Sequence, residues 1–260
     1  MKLSCALVAC NDNSHYLDFW QVVKKAWWDI VGVPCLMIYV AETIPDKLAA
    51  DPAVIHFKPI EGWKTATQAQ VIRLLYPALL KCDGAIVLSD MDMIPMQADF
   101  FHEGFAQFQP HQFVSLRGID EYEKQIYMCY VGATPQTWRD LFGIKTTDDI
   151  RSLMQTWSKN ISADGEHGGI GWCTDQQILY TTVKQWQATQ RERVGLLPWS
   201  PTIPRLDRGD PSEWIEPTSQ LLEKIQSKVY VDFHMPPYTH FKHHIDSILA
   251  LASPSTNQHS

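Results

Sequence analysis

Residues 86–96 read IVLSDMDMIPM. An apolar run rises to Leu88 and breaks into two acids, Asp90 and Asp92, with one methionine between them. Residues i and i+2 of a strand share a face, and open α/β sheets bind ligands beyond the carboxyl ends of their strands. Two carboxylates gathered there repel each other unless a cation lies beside them. A hard divalent ion resolves that repulsion, and both Mg²⁺ and Mn²⁺ qualify. The plain alternative is a solvated turn, since aspartate is common in turns. This is the one Asp-x-Asp in the chain, and five apolar or small residues (85–89) lead straight into it, which favours the ion.

The segments before it alternate between strand and helix patterns. Residues 3–9 (LSCALVA) predict a buried strand. Asn13 and Ser14 can cap a helix over 15–30, with Tyr16, Phe19, Trp20, Val23, Trp27 and Ile30 on one face and Gly32 as its stop. CLMIYV (35–40) and VIHF (54–57) are two further strands. In TATQAQVIRLLYPALLKC (65–82), Thr65–Gln68 and Thr67–Gln70 have capping-box spacing, and Pro77 should kink or restart the helix. This order predicts an α/β domain.

Downstream, a helix over 98–108 precedes strands at FVSL (113–116) and IYMCYV (126–131), then helices over 135–142 and 148–158. The loop DGEHGGIGW (164–172) leads into a helix from 174, which places Asp175 in a first turn where the helix dipole favours its anion. A proline-rich stretch (198–217) reads as weakly structured, and a helix near 218–227 leads to VYVDFH (229–234). There Asp232 and His234 repeat the i, i+2 placement at a strand end. A neutral imidazole would complete a site begun by carboxylates, and this shifts the preferred ion from Mg²⁺ to Mn²⁺. His240, His243 and His244 follow closely, so the ligand within this cluster stays open. No linker divides the chain. Residues 1–252 read as one domain and 253–260 as a polar, frayed tail.

Bulk composition narrows the function. The chain has 260 residues, 45% hydrophobic, and 29 acids against 22 lysines and arginines, for a formal net charge of −7. No basic run is present to neutralise a phosphate backbone, which argues against a nucleic-acid partner. Most of the six cysteines lie in apolar stretches, none forms a CxxC pair, and they read as buried thiols in a reducing compartment. No segment has the length to span a membrane, and a cytoplasmic location is expected.

The succession VACNDN, QVIRLLYPALL, IVLSDMD, TDQQIL and a terminal D-x-H resembles the metal-dependent GT-A glycosyltransferases. It is most similar to the retaining branch that contains glycogenin and the lipopolysaccharide galactosyltransferases, over roughly residues 3–242. The resemblance implies a single Rossmann-like mixed sheet flanked by helices. It also implies sugar transfer from a nucleotide-diphosphate sugar, with UDP as nucleotide and a glycan, lipid-linked or protein acceptor. Asp90, Asp92 and His234 would hold Mn²⁺. Ala9, Asn11, Asp12 and Asn13 match the nucleoside-binding stretch, and Arg73 an arginine that contacts the donor. Asp175 and Gln176 match the pair under the donor sugar, and their likeness to the retaining pair implies retention. The family follows its metal histidine with a glycine and a phosphate-gripping lysine. Here HMPPYTHFKHH has prolines instead, with Lys242 two positions late.

For the acceptor, Trp172 beside the glycines is the leading platform, with Trp63 behind it, and Asp120 in RGIDEYEKQ (117–125) is a residue to test. Most other tryptophans, such as Trp20 and Trp27, belong to core faces. Two other functions fit part of the pattern. A non-catalytic module could hold a nucleotide sugar or glycan without turnover. A haloacid dehalogenase-type phosphatase would use Asp90 as nucleophile. It requires paired acids at the end of a later strand, whereas Asp148 and Asp149 start a helix, and its motif opens the domain rather than following three strands.

Overall fold

The computed structural model describes residues 1–197, 203–216 and 218–253, without the side chains of 212 and 213. Strand β1 (Leu3–Asn11) is followed by helices α1 (Ser14–Leu17) and α2 (Trp20–Ala26), then β2 (Cys35–Val40), α3 (Asp46–Ala49) and β3 (Val54–Phe57). Helix α4 (Thr65–Leu75) leads to β4 (Ala85–Leu88), a turn carrying the two acids, and β5 (Met93–Pro95). Then come α5 (Ala98–Ala106), β6 (Phe113–Ser115), β7 (Val131–Ala133), α6 (Pro135–Phe142), α7 (Thr147–Asn160) and α8 (Thr174–Thr189). The last part holds β8 (Val194–Leu196), β9 (Arg205–Asp207), α9 (Pro211–Trp214), α10 (Ser219–Gln226), β10 (Asp232–His234) and α11 (Tyr238–Ala252).

Seven strands form one mixed sheet in the order β3-β2-β1-β4-β7-β6-β8. β1 pairs in parallel with both β2 and β4, whereas β4–β7 and β6–β7 are antiparallel. The chain runs outward from β1 through β2 to β3, then returns to the other side of β1 as β4. The crevice at that reversal lies beyond the carboxyl ends of β1 and β4, where ligands bind in such sheets. Asn11 and the Asp90–Asp92 turn both stand there.

Alternation along the strands explains why their sequences are almost wholly apolar. Ala6, Val8, Ala85 and Val87 pack into one core, and Leu7, Ile86 and Leu88 into the other. A strand covered on both faces reads as a continuous hydrophobic run rather than an alternating one. The first core takes in α2, α5, α10 and α11, and the second α4, α6, α7 and α8. At Gly132 a Cβ atom would stand 2.7 Å from Phe105 and 2.8 Å from the Ile86 carbonyl, so the sheet and α5 approach as closely as a bare backbone allows.

The α/β architecture is as expected, but it is not confined to one sheet: β5-β10-β9 form a separate three-stranded sheet. Its strand β9 and helix α9 fall inside the proline-rich stretch expected to be weakly structured, of which 198–202 and 217 lie outside the described residues. Residues 254–260 of the expected tail do as well. The helix expected over 15–30 is broken into α1, α2 and a π-helical turn (Trp27–Val31), with Asn13 capping α1 and Gly32 closing the turn at φ 75°. The expected capping boxes of α4 do not form. Its cap is Lys64, and buried Gln68 instead bonds the backbone of Ile60 and Trp63. Pro77 does restart the chain, as a 3₁₀ turn (Tyr76–Leu79). The strand expected over 126–131 begins at Val131, and helix α11 and strand β8 were not anticipated. All six cysteines are free thiols. Among the described residues no helix is long and apolar enough to cross a membrane.

Candidate active site

The Asp-Met-Asp segment sits in the turn between β4 and β5, and the turn sends its two carboxylates to different partners. Asp90, about one-third exposed, is held by the Nη1 of Arg73. The same guanidinium donates from Nη2 to Asp175 Oδ2 at 2.6 Å and from Nη1 to the Ser89 carbonyl at 3.2 Å. Arg73 projects from α4 and Asp175 from the first turn of α8, so one buried arginine ties both helices to the end of β4. Asp175 is 1% exposed. Burial raises its carboxyl above the ordinary value, with Arg73 pulling the other way. Burial also works against the charge on Arg73, but the two carboxylates more than offset it.

Asp92 turns towards the small sheet. Register places His234 of β10 opposite Met93 of β5 on one side and Asp207 of β9 on the other. His234 Nε2 consequently lies 3.4 Å from Asp92 Oδ2, and its Nδ1 lies 3.1 Å from Asp207 Oδ2. Arg208 Nη1 reaches the same Asp92 oxygen at 2.8 Å. Two backbone bonds fix this arrangement, from Met235 N–H to the Asp92 carbonyl and from Arg208 N–H to the His234 carbonyl. Burial would raise the Asp92 carboxyl, yet His234 and Arg208 leave it below its ordinary value.

The chemistry of this donor set suits a divalent cation at Asp92 and His234. Asp207 on Nδ1 would fix the ring's tautomer and leave Nε2 free for such an ion, the usual support of a metal-bound histidine. Four carboxylates (Asp90, Asp92, Asp175 and Asp207) gather here against two guanidiniums, so a bound anion requires further positive charge. Asp90 does not join the pair in this conformation. Among the described residues no group of three or more histidine, cysteine, aspartate or glutamate side chains is set as a ready metal cage.

The other sequence candidates fall into three groups. Asn11 donates to Thr65 Oγ1 at 3.2 Å and, with half-exposed Ala9 and exposed Asp12 and Asn13, forms the rim of the crevice beyond β1. Gln176 follows Asp175 and keeps a buried Oε1 that has no partner among the described residues. Trp172 lies over α4, its carbonyl accepting from Gln70 at 3.1 Å, and its ring meets His167 at a centroid distance of 4.4 Å. His167 in turn stands 2.8 Å from the Tyr16 hydroxyl, which links the glycine-rich loop to α1. Burial, and secondarily Asp92, push the Tyr16 phenol up to about 12.

The remaining candidates stand apart from this cluster. Lys242, 61% exposed on α11, pairs with Asp246 one turn on, and His240 is exposed on the same helix. Asp120 closes its own turn, accepting from the amides of Tyr122 and Glu123 and from the Tyr127 hydroxyl at 2.9 Å. Trp63 is buried. Asp232 faces away from the acids into an ion pair with Arg117 at 2.5 Å and Arg205 at 2.7 Å. Asp148 and Asp149 lie in the first turn of α7, where Asp149 completes a capping box with Thr146. Sequence reasoning passed over Asp207 and Arg208. The one available signal was Arg205, Leu206 and Asp207 in polar–apolar alternation ahead of Gly209.

No family model matches the chain, and no curated protein does. Among solved structures it is similar to the galactosyltransferase LgtC in complex with donor and acceptor sugar analogs, at TM-score 0.47 and 10% identity over 98% of both chains. An active-site mutant of LgtC gives TM-score 0.48 and 9% identity over the same shares. The glycosyltransferase GlyE of Streptococcus pneumoniae TIGR4 gives TM-score 0.49 and 11% identity, over 99% of this chain and 66% of that one.

Proposed function

We propose that the protein is a glycosyltransferase that moves a sugar from a nucleoside-diphosphate sugar, a UDP-sugar foremost, to an acceptor hydroxyl. The observation that carries this reading is the Asp90–Asp92 turn at the reversal point of the sheet, with Arg73 on one carboxylate and His234 with Arg208 on the other. With a divalent cation added, such a corner would hold a diphosphate.

In the reaction the bond between the anomeric carbon and the β-phosphate oxygen breaks, and its electron pair stays on the diphosphate. The acceptor oxygen forms the new bond, and its proton passes to the departing diphosphate. Mn²⁺, with Mg²⁺ as alternative, would be held by Asp92 and His234 with Asp90 nearby, and supplies Lewis-acid stabilisation of the leaving group. Asp175 is enclosed with Arg73, which suits it to positioning that arginine rather than to attacking carbon. Gln176 has a free amide oxygen for a sugar hydroxyl or a cationic anomeric centre. A carboxylate withdrawn from the sugar agrees with transfer on one face and hence with retention.

The test is a panel of UDP- and GDP-sugars assayed for transfer and hydrolysis with Mn²⁺ or with chelator, and the product anomer read by NMR. Metal-dependent turnover with retention is expected. Binding of a donor with no turnover of any would make the protein a binding module instead.

A further inference from the structure

We infer that Arg208 is the diphosphate-binding cation of this site, leaving Asp92 for the phosphate oxygens when a nucleoside diphosphate enters. The inference rests on the donor reading above and gives Arg208 a role that reading leaves open.

Arg208 is set apart from the other cations by what it leaves unused. Arg73 is 10% exposed and already donates to Asp90, Asp175 and the carbonyls of Ser89 and Gln70. Arg117 and Arg205 are both spent on Asp232. Lys242 is turned to Asp246 on the surface of α11. The Arg208 side chain is 29% exposed and, among the described residues, its one partner is Asp92 through Nη1. A guanidinium carries five N–H donors in a planar fork that matches phosphate geometry. Most of that fork is therefore free while its charge is already in the site.

Its backbone is fixed where the side chain is not. The Arg208 amide is tied to the His234 carbonyl at 2.9 Å. The preceding Asp207 accepts from the Gly209 amide at 2.7 Å and, through its carbonyl, from the Trp214 indole at 3.1 Å. A short pivot on a rigid turn lets the head exchange one anion for another with little ordering cost. The exchange also uncovers Asp92, the carboxylate best placed beside His234.

The experiment is calorimetric titration of UDP and GDP, and of uridine and guanosine by competition, in Mn²⁺. The proteins are wild type, Arg208→Gln, Arg208→Lys and Lys242→Ala, each checked by thermal unfolding. Arg208→Gln is expected to weaken the diphosphates roughly 10- to 100-fold, the loss of charge-assisted bonds, with the nucleosides unchanged. Arg208→Lys, which keeps charge but not the fork, should lose several-fold. If Arg208→Gln does not fold, Arg208→Lys decides alone, and wild-type diphosphate affinity in it overturns the inference. Wild-type affinity in Arg208→Gln, an equal loss for nucleosides, or a loss found in Lys242→Ala instead overturns it too, while leaving the donor reading intact. A wild-type protein that binds neither diphosphate overturns the donor reading itself.

Discussion

Replacing Arg73 by glutamine removes the counter-charge of a carboxylate that has no access to water. Asp175 is 1% exposed, and in Arg73→Gln its remaining hydrogen bond is from the Gln176 amide at 2.9 Å. Breaking a buried ion pair from one side costs about 3–5 kcal/mol, because the orphaned charge stays desolvated. At an m-value of ~2 kcal/mol/M, that lowers the urea midpoint by about 2 M. The 10 tryptophans give a fluorescence signal for equilibrium unfolding. The deficit also depends on pH. Burial already raises the Asp175 carboxyl, and without Arg73 only the Gln176 amide opposes it. The folded variant then keeps a proton that the unfolded chain has released, so its stability falls as pH rises through the folded pKa. The gap to wild type should be smaller at pH 5 than at pH 8. Arg73→Gln/Asp175→Asn, with no buried charge left, should recover most of the loss. Equal midpoints, a gap identical at both pH values, or a double variant as weak as the single would refute the reasoning.

Asp90→Asn and Asp92→Asn should each abolish Mn²⁺-dependent transfer while leaving the circular dichroism unchanged. Asp207→Asn, which loosens the support of His234, should weaken Mn²⁺ binding by roughly 10- to 100-fold in an EPR titration. Gly132→Ala drives a methyl into the Ile86 carbonyl and the fully buried Phe105 ring, and should cost about 1–3 kcal/mol by thermal denaturation. Asp51 accepts from the Trp20 indole at 3.1 Å and from Lys24 at 2.7 Å. Burial would raise its carboxyl, but these partners leave it lowered. Its contribution, about 1 kcal/mol with a half-exposed lysine as partner, is present at neutral pH and lost as pH falls through the folded pKa. Asp51→Asn should therefore flatten the acid limb of the stability curve.

The parts of the fold legible in the sequence are those whose signal is local. β1, β2, β3 and β4 are apolar runs bounded by polar residues, and α6 and α7 carry their caps at Thr134 and Thr146 beside them. The breaks in the first helix were not legible, because its hydrophobic period continues through the π-helical turn. β9 was hidden for a different reason. Three residues in a stretch rich in proline hold their shape only through pairing with β10, a partner that no local pattern names. The same holds for the site. Asp90, Asp92 and His234 stand out at strand ends as candidates, whereas the placement of Arg208 beside Asp92 and of Asp207 beside His234 depends on a register visible only once the small sheet is assembled.

That small sheet has a consequence for how the protein is made. Asp92 meets its side-chain partners Arg208 and His234 116 and 142 positions further along the chain. Closing so long a loop is slow compared with the growth of local structure. While the ribosome is still adding the last third of the polypeptide, the first strands can already be in place with their acidic tip bare. A nascent chain would thus hold the strands around the reversal point before the residues that meet Asp92 have been made.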